Sequence, residues 1–327
     1  KMKNVVNKIL KESPDPLQIR SSTAGVVNNL ELIEFDFKKL DQVVEIVKKK
    51  YSKKEVLTAD QFGSEKPTPQ LIFILDVINF CFWAGKDQEK WTVEYPKSNF
   101  IANGWYGLVA SVERAQKEST PILETDFLEK LTLKRAKHIF RSANNQNIPL
   151  LEERVRFLNQ VGRTLKQKYQ GNIYHFLSSI KLDANIVGKK LLEDFPSFED
   201  CATWRGKRIN FYKRVQIFVY DLSLLPSLKV KNLEVLTVFA DYKIPQILRA
   251  FGVIKYHPRL AKKVDNYQLL KLGSGEEIEI RSATIWAGEL IAHKAGMMPV
   301  EVDNVLWKVS QSIRDIKPYH RVLTTSY

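Results

Sequence analysis

The residues best suited to chemistry lie in one stretch, Leu236–Tyr256, which reads LTVFADYKIPQILRAFGVIKY. Asp241 stands there among Phe239, Ala240 and Tyr242, a carboxylate in apolar company. A helix is expected to begin at once. Pro245 suits its first turn, where a missing N–H costs nothing. Ile244, Ile247, Leu248 and Phe251 then recur at i, i+3, i+4 and i+7, and Gly252 suits the C-terminal cap. A carboxylate just ahead of a helix N-terminus is favoured in its charged form by the helix dipole and disfavoured by burial. Two uses follow. Asp241 either caps the helix, the common work of Asp at that position, or serves as a base and a stabiliser of positive charge.

Other candidates are spread along the chain. Asp76 and Asn79 share a face of Gln70–Trp83 (QLIFILDVINFCFW), the most apolar helix expected. A polar face inside a core helix is either paired or part of a site. Asp303 precedes Trp307 by one turn. Carboxylates beside aromatics describe a pocket for a flat polar ring. A nucleobase is such a ring, because it stacks on aromatic faces and bonds along its edges. Any large helical core offers the same pattern. Lys213 and Arg214 flank the apolar face made by Phe211, Val215, Phe218 and Val219 in the amphipathic stretch Lys207–Leu224. One of these two cations is expected to face a site, where it would hold a phosphate. The tail Lys317–Tyr327 (KPYHRVLTTSY) is aromatic and basic, and its Pro318, Tyr319, His320 and Arg321 could pack over a pocket.

The elements that must position these residues are mostly helices. They are expected at about Asp36–Lys50, Gln70–Trp83, Gly104–Gln116, Thr132–Phe140, Pro149–Tyr169, Ile173–Ile180 and Ala184–Glu193. After the central stretch come a short helix or turn in Tyr256–Asn266, then helices over Glu276–Lys294 and Val300–Ile313. In Glu276–Lys294, Ile280, Ala283, Ala287 and Leu290 point inward, with Glu277, Arg281 and Glu289 as polar candidates. Residues 52–69 read as a loop, and Trp91–Tyr95 as a short strand. No alternating βαβ pattern and no fixed-period repeat is visible. The expected fold is mainly α, one large helical domain over residues 1–327 with a few short strands, its 1–65 portion packing on the helical core.

Composition narrows the partners. The 51 Lys and Arg against 37 Asp and Glu leave a net charge of +14. This suits an anionic partner, whether nucleic acid, nucleotide, phosphate ester or membrane surface. Only Cys81 and Cys201 occur, so neither a disulfide scaffold nor a Cys/His metal cluster is expected. The longest apolar run, Leu71–Trp83, is interrupted by Asp76 and Asn79 and is too short to cross a bilayer. Residues 1–20 lack the apolar core of a signal peptide. A soluble, cytoplasmic protein is expected. The chain has no GxxxxGK[ST] loop, GxGxxG fingerprint, GxSxG elbow or HExxH pair. Its five histidines are scattered.

Blocks distributed over most of the chain resemble the queuosine salvage protein family, the queuosine 5′-phosphate N-glycosylase/hydrolases. They include LDVINFCFW (75–83), NGWYGLVASVERA (103–115), PLLEERVRFLNQVGRTL (149–165), DFPSF (194–198) and GKRINFYKRVQIFVYDL (206–222). They continue through VFADYKIPQILRAFGVIKY (238–256), EIEIRSATIWAGELI (277–291), DNVLW (303–307) and YHRVLTTSY (319–327). The resemblance implies a fold similar to the helical DNA glycosylases. It also implies hydrolysis of the N-glycosidic bond of queuosine 5′-phosphate, releasing queuine for salvage into tRNA. No metal or organic cofactor is implied. The partner is the small-molecule substrate, with no stable nucleic-acid complex and no membrane.

On this resemblance the catalytic aspartate falls on Asp241. Base contacts fall on Phe239 and Asp303, with Trp307 stacking. Lys213 is the candidate for the 5′-phosphate, and His320 a further contact. The family pattern after Asp303 is closer to DYYLWD, whereas this chain has Asn304 where an aromatic is common and Lys308 where an acid occurs. Both positions are expected to meet the substrate. A histidine ahead of the core helix in relatives is matched here by Asp60, by Gln61 or by no residue. Two rivals remain: a non-enzymatic nucleic-acid-binding protein gripping backbone through Lys134–Arg141, with steep salt dependence, and a base-excising enzyme acting on a polymer.

Overall fold

The computed structural model describes residues 2–63 and 67–327. Residues 64–66, part of the stretch expected to be a loop, lie outside the described residues. The chain forms two compact units. One comprises residues 1–57, 200–216 and 231–323; the other comprises 58–199, 217–230 and 324–327. Helices dominate both, and among the described residues the strands form only two-stranded antiparallel ladders. The mainly α class expected from the sequence is correct. Among the described residues no helix is long and apolar enough to cross a membrane.

The first unit is built on the helix Gly275–Ala295, which packs on Ile19–Val27, Phe37–Ser52, Lys243–Ala250 and Pro299–Ser312. Ser274 starts it by accepting from the Glu277 N–H, and Gly296 ends it in the left-handed region. The sequence suggested one inward face. In fact every residue from Glu277 to Ala292 is buried. Its four buried charges are therefore each matched by a partner. Glu277 accepts from Gly273 N (2.5 Å), and Glu279 from the N–H groups of Glu31 (3.0 Å) and Leu32 (2.8 Å). Glu289 pairs with Arg20 at 3.0 Å. Arg20 in turn donates to the carbonyls of Glu234, Val235 and Leu236. Arg281 meets Asp200 and Ala240. The strands Ile33–Phe35 and Ile254–Tyr256 pair beside this helix, in the register Glu34 to Lys255.

The second unit holds the helix Pro69–Val77, capped by Thr68 and buried along its whole length. It packs against Leu151–Lys168 and Ile173–Ser178. Phe73 sits within 5.0–5.9 Å of Phe195, Phe198 and Phe218, ring centroid to ring centroid.

Two expectations need correction. The helix expected over Gln70–Trp83 stops at Val77. Arg154 lies across Phe80 and Phe82 and donates to the carbonyls of Ile78, Phe80 and Cys81, which a continued helix would have used internally. Asp76 and Asn79 end up bonded to each other at 3.4 Å. The stretch Lys207–Leu224 is not one amphipathic element. Lys207–Asn210 is a strand paired with Cys201–Trp204, and the helix starts at Lys213. Arg205 and Gly206 both have positive φ, 48° and 75°. That is the backbone of a tight two-residue hairpin turn.

Gly288 marks the closest approach between the central helix and residues 236–241. A Cβ there would lie 2.2 Å from Val238 Cγ1. Gly288→Ala gains about 1 kcal/mol of helix propensity, but overpacking costs roughly 1–3 kcal/mol. At 2.2 Å the clash is expected to win, so thermal melting should show a lower Tm for Gly288→Ala.

Candidate active site

Three pieces of the first unit bring the candidate residues together: residues 239–244, the first turn of Lys213–Ser223, and the helix Pro299–Ser312. Asp241 directly precedes the helix Lys243–Ala250, with Tyr242 at its cap position. Its Oδ1 accepts from Lys243 N (2.7 Å) and Ile244 N (2.9 Å). The capping use read from the sequence is therefore real. Among the described residues Oδ2 accepts no hydrogen bond, so capping leaves one oxygen for chemistry. Gly252 closes this helix in the left-handed region, φ 74°.

Asp303 reaches the same place from another helix. Its Oδ1 accepts from Phe239 N at 2.7 Å. The Phe239 carbonyl accepts from Asp241 N, also at 2.7 Å. The backbone of Phe239 thus links the two carboxylates, and its ring is buried with them. Asp241 is 9% exposed and Asp303 4%, so both acids are largely dry.

The electrostatics divide the two. Burial pushes the Asp241 carboxyl above the usual carboxylate range; the Lys213 charge, the N–H groups of Ile244 and Lys243, and the Lys243 charge oppose it. Burial pushes Asp303 up further, and the neighbouring Asp241 charge adds to the rise. Only the Phe239 N–H and Lys213 counter it. Two close carboxylates do not readily both ionise. Asp241 is better supplied with positive partners, so its carboxyl is raised less and Asp303 binds a proton the more tightly of the two. Two acids with unequal proton affinity are equipment for acid–base chemistry.

The other predicted residues are placed as follows. Lys213 is buried, its charge acts on both acids, and its N–H donates to Asp200 Oδ2 at 3.0 Å. Trp307 is half-buried one turn after Asp303. Asn304 Oδ1 accepts from Leu57 N (2.6 Å) and Lys308 Nζ donates to the Val56 carbonyl (2.9 Å), so both bond the 56–57 segment of the chain. His320 is buried, and desolvation with Arg281 and Arg321 nearby pushes its imidazole down to about 3. It is neutral at ordinary pH and brings no charge to a phosphate.

Sequence reasoning missed Asp200. It forms a two-pronged pair with Arg281, both contacts at 2.7 Å, and both side chains are only 2% exposed. The available signal was Arg281 itself. A guanidinium on a helix rich in Ile, Ala and Leu demands a carboxylate or carbonyls.

A helical chain with a buried, coupled pair of acids and a cation beside them defines a candidate acid–base enzyme. The family model described as "Queuosine salvage protein" matches residues 60–327. A queuosine 5′-phosphate N-glycosylase/hydrolase of Sphaerobacter thermophilus is 32% identical over 327 residues, covering 96% of this chain and 98% of the relative. Proteins of the same name from Mus musculus and Bos taurus are each 34% identical; they cover 81% and 70% of this chain and 83% and 68% of their own lengths. The chain belongs to the queuosine salvage protein family.

The raised Asp303 carboxyl makes a stability prediction. Between the ordinary carboxylate range and its raised folded value, the folded chain binds more protons than the unfolded one. Stability therefore falls as pH rises through that window, and below it the penalty vanishes. Asp303→Asn keeps an Oδ1 acceptor for Phe239 N and removes the carboxyl that is costly to ionise there. Its Tm relative to wild type should rise by about 2–4 °C per kcal/mol removed, more at about pH 8 than at about pH 4. Melts at both values check the difference.

Proposed function

We propose that this chain is an N-glycosyl hydrolase that cleaves queuosine 5′-phosphate and releases queuine for salvage. The observation that supports this most is the burial of Asp241 and Asp303 together, linked through the Phe239 backbone with the Lys213 charge acting on both, in a chain of this family.

Breaking the C1′–N9 bond leaves positive charge on the sugar, an oxocarbenium-like state. Asp241 Oδ2 stabilises that charge and takes a proton from the attacking water, whose oxygen bonds to C1′. The electron pair of the broken bond goes to N9, and the proton that Asp241 took from water passes to the departing base, which regenerates the carboxylate. Queuine and ribose 5-phosphate are the products. Asp303 bonds the polar edge of the base, and the Phe239 and Trp307 rings stack on it. Lys213 holds the 5′-phosphate by charge-assisted bonds, and its charge keeps Asp241 ionised. Asn304 and Lys308 shape the site from outside by holding residues 56–57. The substrate is the free nucleotide rather than intact tRNA, and the setting is the cytoplasm.

Incubation with queuosine 5′-phosphate, followed by mass spectrometry, should detect free queuine. Asp241→Asn should lower kcat by about 10²–10⁴-fold, the usual contribution of a positioned acid or base, with an unchanged circular-dichroism spectrum. Wild-type protein that is folded and releases nothing would refute the reading. Lys213→Ala should raise KM for the 5′-phosphate; an unchanged KM would remove Lys213 from the phosphate site.

A further inference from the structure

We infer that Asp200 and Arg281 are positioning residues for the reaction, fixing the start of the helix that carries Lys213 relative to Asp241 without touching the substrate. The inference rests on the hydrolase reading.

The geometry is a clamp on two pieces of chain. Asp200 sits at the base of the hairpin Cys201–Asn210. Its backbone carbonyl accepts from Phe211 N (3.0 Å) and Tyr212 N (3.2 Å), and its Oδ2 accepts from Lys213 N (3.0 Å). One residue thus fixes three successive N–H groups and the start of the helix that carries Lys213. Arg281 closes the clamp. Both terminal nitrogens bond Asp200, its Nε donates to the Ala240 carbonyl at 2.9 Å, and its guanidinium lies 4.0 Å from the Phe211 ring centroid. Ala240 adjoins Asp241. A rigid planar fork therefore links the Ala240 carbonyl, next to Asp241, with Asp200, which bonds the Lys213 backbone. Lysine could not replace it, since a single ammonium cannot serve Asp200 through two parallel bonds and Ala240 as well.

The consequence is electrostatic. The charged groups acting on Asp241 come from three elements: Lys213 on one helix, Lys243 on the helix that Asp241 caps, and Asp303 on a third. His320, beside Arg281 and Arg321, is neutral. Lys213 is the first of the groups that oppose desolvation at Asp241. Displacing it leaves Asp241 less ionised at a given pH, which is a change in the pH profile and not merely in yield of folded protein.

The test is the pH dependence of kcat/KM for queuine release by wild type, Arg281→Lys, Asp200→Asn, Lys213→Ala and the double variant Arg281→Lys with Lys213→Ala, with folding followed by circular dichroism. The acidic limb should move up by about one unit in each single variant, the size expected when a nearby opposite charge is lost. Arg281→Lys keeps its positive charge, so a shift there reports position. Asp200→Asn removes a negative charge, which by itself would move the limb down; an upward move separates positioning from direct field. In the Lys213→Ala background, Arg281→Lys should add no further shift. A folded variant that loses rate with an unmoved limb, or shifts that add in the double variant, would overturn the inference alone. A wild type that releases no queuine overturns the hydrolase reading and the inference with it. Should neither Arg281→Lys nor Asp200→Asn fold, amide exchange at Lys213 in the wild type decides: protection like that of the core supports the clamp, and fast exchange refutes it.

Discussion

Much of the first unit depends on one buried ion pair, Asp200 with Arg281. Two charges removed from water are costly, and their attraction offsets that cost only when geometry is good and the remaining donors are used. Here both conditions hold. The contacts are paired at 2.7 Å, and the Nε–H goes to the Ala240 carbonyl. Removing one partner of such a pair typically costs about 3–5 kcal/mol, because a bare charge is left in the interior. That cost is comparable with much of the net stability of an ordinary domain, roughly 5–15 kcal/mol. The pair therefore constrains every segment it touches: the hairpin base, the start of the helix at Lys213, and the turn into Asp241.

The same logic runs along the whole central helix. A helix buried on all sides is normally apolar all round. This one carries Glu277, Glu279, Arg281 and Glu289 inside, and each helps tie down chain at the ends of regular elements or between them. Glu279 holds the N–H groups ahead of a strand, and Arg20, paired with Glu289, takes three consecutive carbonyls at 234–236. Irregular backbone stays satisfied in the interior this way. The segment leading to Asp241 is such backbone.

Dryness also sets the chemistry. Burial raises both Asp241 and Asp303, and unequal positive partners make them differ. A carboxylate at a helix start with two N–H donors and a lysine charge can stay ionised where a second acid cannot. The capping bonds and the proposed catalytic role of Asp241 are thus compatible, since the cap occupies Oδ1 and the chemistry needs Oδ2. Membership of the queuosine salvage family gives that arrangement its substrate class, in the reading proposed above.

Local order determined a good part of this protein by sequence alone. Most helices, the helix after Asp241, its Gly252 terminus and the Asp303 helix follow from periodicity and caps, because those features depend on neighbours a few residues apart. Asp241, Phe239 and Asp303 were legible as candidates through the family blocks. The end of the core helix at Val77 was not legible, because it depends on Arg154, whose guanidinium claims carbonyls 73 to 76 residues away in sequence. Nor were the bond from Phe239 to Asp303 across 64 residues or the pair from Asp200 to Arg281 across 81. The departures at Asn304 and Lys308 could be seen in the sequence, but not that they hold Leu57 and Val56. Sequence settles which groups can ionise and which stretches coil. Only the tertiary structure decides which buried groups meet, because the free energy of a charge in the interior is set by partners that the chain brings from far away.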